Sequence, residues 1–221
     1  MRRAVSNQSS LRYPLSEVFG SYNNVRVVRT MARHGGELSV SEISRLSGVA
    51  VQNVRVIVTA LVNLRLLREI GSGRSRLFRI LEDHPITGAI KAVFEAEEQR
   101  FSAVLQAVRD AAAIDGKDIL AVWLYGSVAR GEDGPNSDVD IAVVTTPDNL
   151  DRVINGLRER LRMAENAQVF TASVVGIGTD DVLRLHGEKD GWWINVMKDA
   201  MPLAGPDPQT LATRMGRKAT K

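Results

Sequence analysis

Apolar residues recur at helical spacing through the first part of the chain. In Asn24–Arg33, Val25, Val28 and Met31 share one face while Arg26, Arg29 and Arg33 fall largely off it, which predicts a helix closed by His34-Gly35-Gly36. Ser39 or Ser41 can cap a short second helix with Ile43 and Leu46 as its apolar positions, before a Ser47-Gly48 turn. A third helix is expected from about Val51 to Leu64, burying Val54, Ile57, Val58, Leu61 and Leu64. Leu66–Ile70 and Arg74–Ile80 then read as two short strands about Gly71-Ser72-Gly73. After Pro85, helical spacing continues through Ile86, Ile90, Val93, Phe94, Phe101, Val104, Leu105 and Val108, as one helix of roughly 28 residues or two shorter ones.

The pattern changes at Ile119. Ile119–Tyr125 and Val139–Val144 are apolar runs of strand length, joined by Gly126-Ser127, one helical turn and a loop rich in Gly, Pro and Asn. Leu150–Met163 is an amphipathic helix with Val153, Ile154, Leu157 and Leu161 inward, and Ala167–Val175 is a further strand. Thr179-Asp180-Asp181 caps a helix through Leu185, and Trp192–Met197 forms another, with one tryptophan in the core and its neighbour available to a cleft. These elements predict an α+β chain: a three-helix-and-hairpin domain at 14–82, a helical connector at 83–117, a mixed sheet flanked by helices at 118–205, and a flexible basic tail at 206–221. The connector also offers a surface for a homodimer.

Charge sharpens this division. The net charge of +3 over 221 residues splits into +8 for residues 1–82, whose cations are all arginine, and −5 for the remainder. Arginine supplies planar, bidentate donors to phosphates and base edges, so the first domain is expected to face a polyanion. The absence of cysteine excludes disulfides and thiolate chemistry. No apolar run approaches the roughly 20 residues of a membrane helix, and the basic N-terminus lacks an apolar stretch behind it; a cytoplasmic protein with no membrane partner is expected. His34, His84 and His186 show no metal-ligand spacing. Gly71-Ser72-Gly73-Arg74-Ser75 lacks the Lys-Ser/Thr ending of a phosphate loop and reads as a hairpin turn.

Helix, helix, turn, helix and hairpin in this order, with Ile43-Ser44-Arg45-Leu46-Ser47-Gly48-Val49 at its centre, resembles the winged helix-turn-helix of small bacterial regulators. The resemblance implies double-stranded DNA as partner, with Gln52, Asn53, Arg55 and Thr59 facing the major groove and Arg74 and Arg76 on the wing meeting phosphates. Two positions depart from the pattern: Ala50 stands where a Ser or Thr caps the reading helix, and Val56 where a polar residue is commoner. Winged helices also serve as protein-binding modules, and that reading stays open.

The second domain carries the candidate chemistry. Residues two apart on a strand point the same way, so Asp138 and Asp140 present two carboxylates on one face. Like charges held this close repel unless a cation lies between them, and a hard divalent ion bound through carboxylates and substrate phosphates suits the pair. Gly126 permits close backbone approach, and Ser127 opens a helical turn with hydroxyl and N–H donors. Gly126-Ser127-x-x-Arg130-Gly131 followed by Ser137-Asp138-x-Asp140 resembles the nucleotidyltransferase superfamily of DNA polymerase beta, in its minimal bacterial branch. That resemblance implies Asp138 and Asp140 as catalytic and metal ligands for Mg²⁺ or Mn²⁺. It implies Gly126, Ser127, Arg130 and Ser137 at a nucleoside triphosphate, ATP foremost. In the family a hydroxyl attacks the α-phosphorus and pyrophosphate leaves. The acceptor would be a protein or small molecule, with an antitoxin modifying a partner toxin as one form. A third carboxylate is usual on a later strand, yet no acid occurs between Glu165 and Asp180, and Glu132 and Asp133 lie in a loop. Two readings therefore stand: a transferase, or a transcriptional regulator whose degenerate domain senses nucleotide or mediates association.

Overall fold

A computed structural model describes Ser9, residues 11–73 and residues 76–219. The chain forms two compact units, Met1–Gln99 and Arg100–Lys221.

In the first unit, α1 (Pro14–Val18) precedes α2 (Tyr22–His34), which Ser21 caps by accepting the Asn24 N–H at 3.1 Å. Gly35 ends α2 in the left-handed region at φ 69°. A two-residue strand β1 (Leu38–Ser39) leads into α3 (Val40–Ser47), where Ser39 and Glu42 satisfy each other's backbone donors. After Gly48 comes α4 (Val51–Asn63), whose N-cap Ala50 makes no side-chain bond. The hairpin strands β2 (Leu67–Ile70) and β3 (Leu77–Ile80) follow, and β3 also pairs with β1, giving a three-stranded antiparallel sheet. The third strand was not expected from the sequence, because two residues carry no periodicity. Met31, Ile43, Val54, Ile57, Val58, Leu61, Phe78 and Phe94 build the core. Val27 rather than Val25 is fully buried on α2, and Leu46 is exposed while Val49, beyond the turn, takes the inward place.

A single helix, α5 (Thr87–Ala113), contains the boundary between the units. Val93 and Phe101, expected inside, are exposed. Adjacent residues lie about 100° apart on a helix, so Phe94 excludes Val93 from the same inward position; Phe101 borders a groove described below.

In the second unit, β4 (Ile119–Tyr125), the single turn α6 (Gly126–Arg130), β5 (Val139–Thr145), α7 (Leu150–Gln168) and β6 (Ala172–Gly178) are followed by α8 (Thr179–Glu188), α9 (Gly191–Asp199), β7 (Met201–Ala204) and α10 (Pro208–Ala219). The sheet order is β6-β5-β4-β7, with β5 and β6 parallel and the other pairs antiparallel. Both faces are covered, which is why β4 and β5 read as unbroken apolar runs. Val122, Leu124, Ile141 and Val143 pack with Val108, Val153 and Leu157 on one side; Trp123, Ala142 and Val144 pack with Trp193, Val196 and Leu211 on the other.

The expected strand at Ala167–Val175 begins only at Ala172, because α7 continues to Gln168. Strand β7 had no apolar alternation to announce it; as an edge strand it accommodates Pro202. The expected flexible tail at 206–221 is corrected: residues 208–219 are helical. Asp207 accepts the Thr210 N–H at 2.8 Å, Pro208 opens the helix, and Leu211 and Ala212 are buried in the second core. Basic composition hid a short apolar face. No single helix among the described residues is long and apolar enough to cross a membrane.

If α10 belongs to the core, Leu211→Ala should destabilise the second unit by about 2–3 kcal/mol in a urea titration. An unchanged midpoint would mean that the helix is a mere appendage.

Candidate functional site

Strand β4 ends at Tyr125, which lies opposite Asp140 in the antiparallel register with β5. The chain then turns through Gly126 at φ +75° into α6. The positive φ favours glycine at position 126, and a Cβ there would displace the Asp140 carboxylate from its place. Asp138 is exposed, immediately before β5, and Asp140 is partly buried two residues later. Burial, and next the negative charge of Asp138, hold the Asp140 carboxyl above the usual carboxylate range; a hydrogen bond with the Ser173 hydroxyl and the charge of Arg130 pull the other way. Ser173 is the direct partner of Asp140 on parallel β6. The strand next to the acidic pair thus presents a hydroxyl, not a carboxylate, beside Asp140.

The remaining predicted ligands surround this corner. Ser127 is half-buried in α6, and its carbonyl accepts the Glu132 N–H at 2.9 Å. Ser137 closes the preceding loop: its hydroxyl accepts the Gly134 N–H at 2.9 Å and its own N–H donates to the Gly134 carbonyl at 3.0 Å. Arg130 donates to Glu132 at 2.7 Å and to Asp199 on α9 at 2.6 Å. Asp199 is a residue that sequence reading missed, since its partner lies 69 positions away. Helix α9 also sets Trp192 edge-on to Tyr125 at 5.5 Å between ring centres, while Trp193 packs in the core against Trp123 at 5.9 Å. Burial, with the Asp140 charge adding to it, raises the Tyr125 phenol above its ordinary range.

Among the described residues, no group of three or more His, Cys, Asp or Glu is placed to hold a metal ion. Two oxygen ligands still fit a hard divalent ion that completes its shell with phosphates and water, and the mutual repulsion at Asp140 is what such an ion would relieve. Beside Asp138 an open groove of about 850 Å³ is bordered by Ser137, Phe101, Phe170 and Val169. Its rim is held in a costly conformation. Val169 is 79% exposed at φ 53°, an unusual angle for a β-branched residue, and Arg100 donates to the Gln168 and Val169 carbonyls at 2.9 and 2.8 Å.

The predicted DNA-facing residues lie in the first unit. Gln52, Asn53, Arg55 and Thr59 are all exposed on α4, with the Thr59 hydroxyl donating back to the Arg55 carbonyl at 2.8 Å. Arg76 is exposed near Glu69, at 3.6 Å. Arg74 lies outside the described residues.

The raised Asp140 carboxyl gives a pH prediction. A group that binds its proton more tightly when folded costs stability as pH rises from the ordinary carboxylate range, near 4, through its folded value. Asp140→Asn should therefore melt above wild type at pH 7 without ligand, and the difference should shrink as the solution is acidified towards pH 4. A variant that is less stable at pH 7 would show the carboxylate to be a structural acceptor.

Residues 111–173 match the family model described as polymerase beta, nucleotidyltransferase. No curated protein matches the chain significantly. Among solved structures, the AntR antimony-specific transcriptional repressor is similar at 22% identity over 45% of this chain and 90% of its own, with a TM-score of 0.34. A toxin–antitoxin structure with AMP-PNP is similar at 21% identity over 54% of this chain and 86% of its own, TM-score 0.34. A mutant of the MntA–HpeT toxin–antitoxin is similar at 19% identity over 53% and 84%, TM-score 0.33. Likenesses of that size are partial. The matched stretch is the one that carries Gly126, Ser127, Asp138 and Asp140.

Proposed function

We propose that this protein is a winged-helix DNA-binding regulator whose second domain binds a nucleoside triphosphate, ATP foremost, together with Mg²⁺. The observation that carries the nucleotide reading is the Gly126–Asp140 corner: a half-buried carboxylate, raised by its burial and then by its neighbour Asp138, with glycine backbone pressed against it. Asp138 and Asp140 would hold the ion; Ser127, Ser137 and the α6 backbone would meet phosphates. Bound Mg²⁺ would neutralise charge on the triphosphate. Glu132 holds the Nε of Arg130 and Asp199 its Nη1, which fixes α6 against α9; a phosphate would meet the remaining N–H groups of the guanidinium beside those two carboxylates.

Transfer of a nucleoside monophosphate to a hydroxyl on a protein or small molecule is the second reading, with a toxin as one such acceptor. In that step the acceptor oxygen bonds to the α-phosphorus, pyrophosphate departs, and the hydroxyl proton must reach a base. Ser173 beside Asp140 is a poor base, which favours nucleotide sensing over transfer. The intact Gly-Ser and Asp-x-Asp spacing keeps transfer in view.

A melt with millimolar ATP and Mg²⁺ tests the site, because a ligand that binds only the native state raises the melting temperature. Wild type should gain several degrees and Asp138→Asn none. No gain in wild type would refute the nucleotide reading. Incubation with α-labelled ATP, Mg²⁺ or Mn²⁺ and proteins encoded nearby then separates the two readings: labelled product establishes transfer.

DNA binding is tested separately. Affinity for duplex should fall steeply between about 50 and 200 mM salt as phosphate contacts release counterions. Arg74→Ala should weaken all sequences alike, whereas Gln52→Ala or Arg55→Ala should alter sequence preference. Salt-independent affinity would refute phosphate-dominated binding.

A further inference from the structure

Helix α4 buries Val54, Ile57, Val58 and Leu61, and its opposite side carries Gln52, Arg55, Val56 and Thr59 at spacings of three and four residues. Val56 lies within that polar stripe and is 71% exposed. A β-branched aliphatic side chain in this place gains nothing from solvent and contributes nothing to the core; it is also a weaker helix former than alanine. Thr59 reinforces the peculiarity. Its hydroxyl donates to the Arg55 carbonyl, so its donor is already used within the helix. The stripe therefore offers two aliphatic groups, Val56 and the Thr59 methyl, flanked by the amide of Gln52 and the guanidinium of Arg55.

The flanking chemistry selects the partner. Arg45, Arg55, Arg68 and Arg79 are exposed in this unit and, among the described residues, form no ion pair, and the unit's surplus is positive. An apolar contact inside a cationic, amide-bearing surface suits the major groove, where the thymine 5-methyl is the one aliphatic group that the bases display. We propose that Val56 is a specificity-determining residue that reads a thymine methyl, with Gln52 and Arg55 taking neighbouring base edges. This rests on the DNA-binding reading above and adds to it a stated base preference at one position.

The test uses the full-length chain and synthetic duplexes. Bound sequences are selected from a random-core duplex library, and the preferred site is resynthesised with uracil replacing each thymine in turn, which removes only the 5-methyl group. Wild type should lose about fourfold in affinity at one or two thymines, the worth of one buried methyl group. Val56→Ala should bind the thymine duplex about fourfold more weakly and be indifferent to uracil at those same positions. Alanine at an exposed helix position favours the helix, so the variant keeps its fold, checked by an unchanged circular dichroism spectrum. Selective binding that is indifferent to uracil everywhere would overturn the proposal while leaving DNA binding intact. An equal uracil penalty in wild type and Val56→Ala would also overturn it, by assigning the methyl to another side chain. Failure to enrich any duplex would remove the DNA-binding reading itself, and the proposal with it.

Discussion

The carboxylate of Asp140 lies where a side chain at position 126 would otherwise be, and the local architecture of the second unit depends on that exchange of space. Because Gly126 has no Cβ, β4 can turn into α6 at a positive φ while β5 remains paired to it in register. The turn in turn places Ser127 and Arg130 on the same edge of the sheet as the acidic pair. Arg130 reaches Asp199, so the position of α9, with Trp192 against Tyr125, is tied to the same corner. A polar site is thus assembled at the end of two strands whose other residues are apolar but for the buried Thr145. Its cost, a partly desolvated carboxylate beside another negative charge, is local.

Elements with strong periodicity are legible in the sequence. The buried stripe of α4, the apolar runs of β4 and β5, and the inward face of α7 follow directly from spacing, because burial of one face is the dominant free-energy gain for each. The sequence offered Ser39 or Ser41 as the cap of α3, and the reciprocal bonds with Glu42 select Ser39. What escaped was determined by partners far along the chain. Strand β1 is two residues long and exists through β3; β7 exists through β4; α10 is ordered by Asp207 locally and by a core built from residues up to 90 positions earlier.

The site divides in the same way. Asp138, Asp140, Gly126 and Ser127 stand close in sequence, so that spacing alone brings them to one corner. That Ser173 would be the neighbour of Asp140 depends on the register of β6, and a one-residue shift would have turned it to the other face. Arg130 could be named but its role could not be decided, because both of its carboxylate partners, one nearby and one distant, had to be seen together.

The acids of α5 alter the field that the arginines create. Taken over residues 1–99, the first unit holds fourteen basic and nine acidic residues, a surplus of +5, and the second unit carries −2. The difference from the steeper gradient of residues 1–82 is spatially selective. Glu97 holds Arg29 at 2.7 Å and Glu98 holds Arg33 at 3.1 Å, so two of the three arginines of α2 are answered, and Lys91 is spent on Glu82 at 2.7 Å. Positive potential is left concentrated where no acid from α5 answers it. An object with its charge gathered on one side has an electric dipole as well as a net charge. In the field of a polyanion it experiences a torque in addition to an attraction, so that encounters begin already oriented.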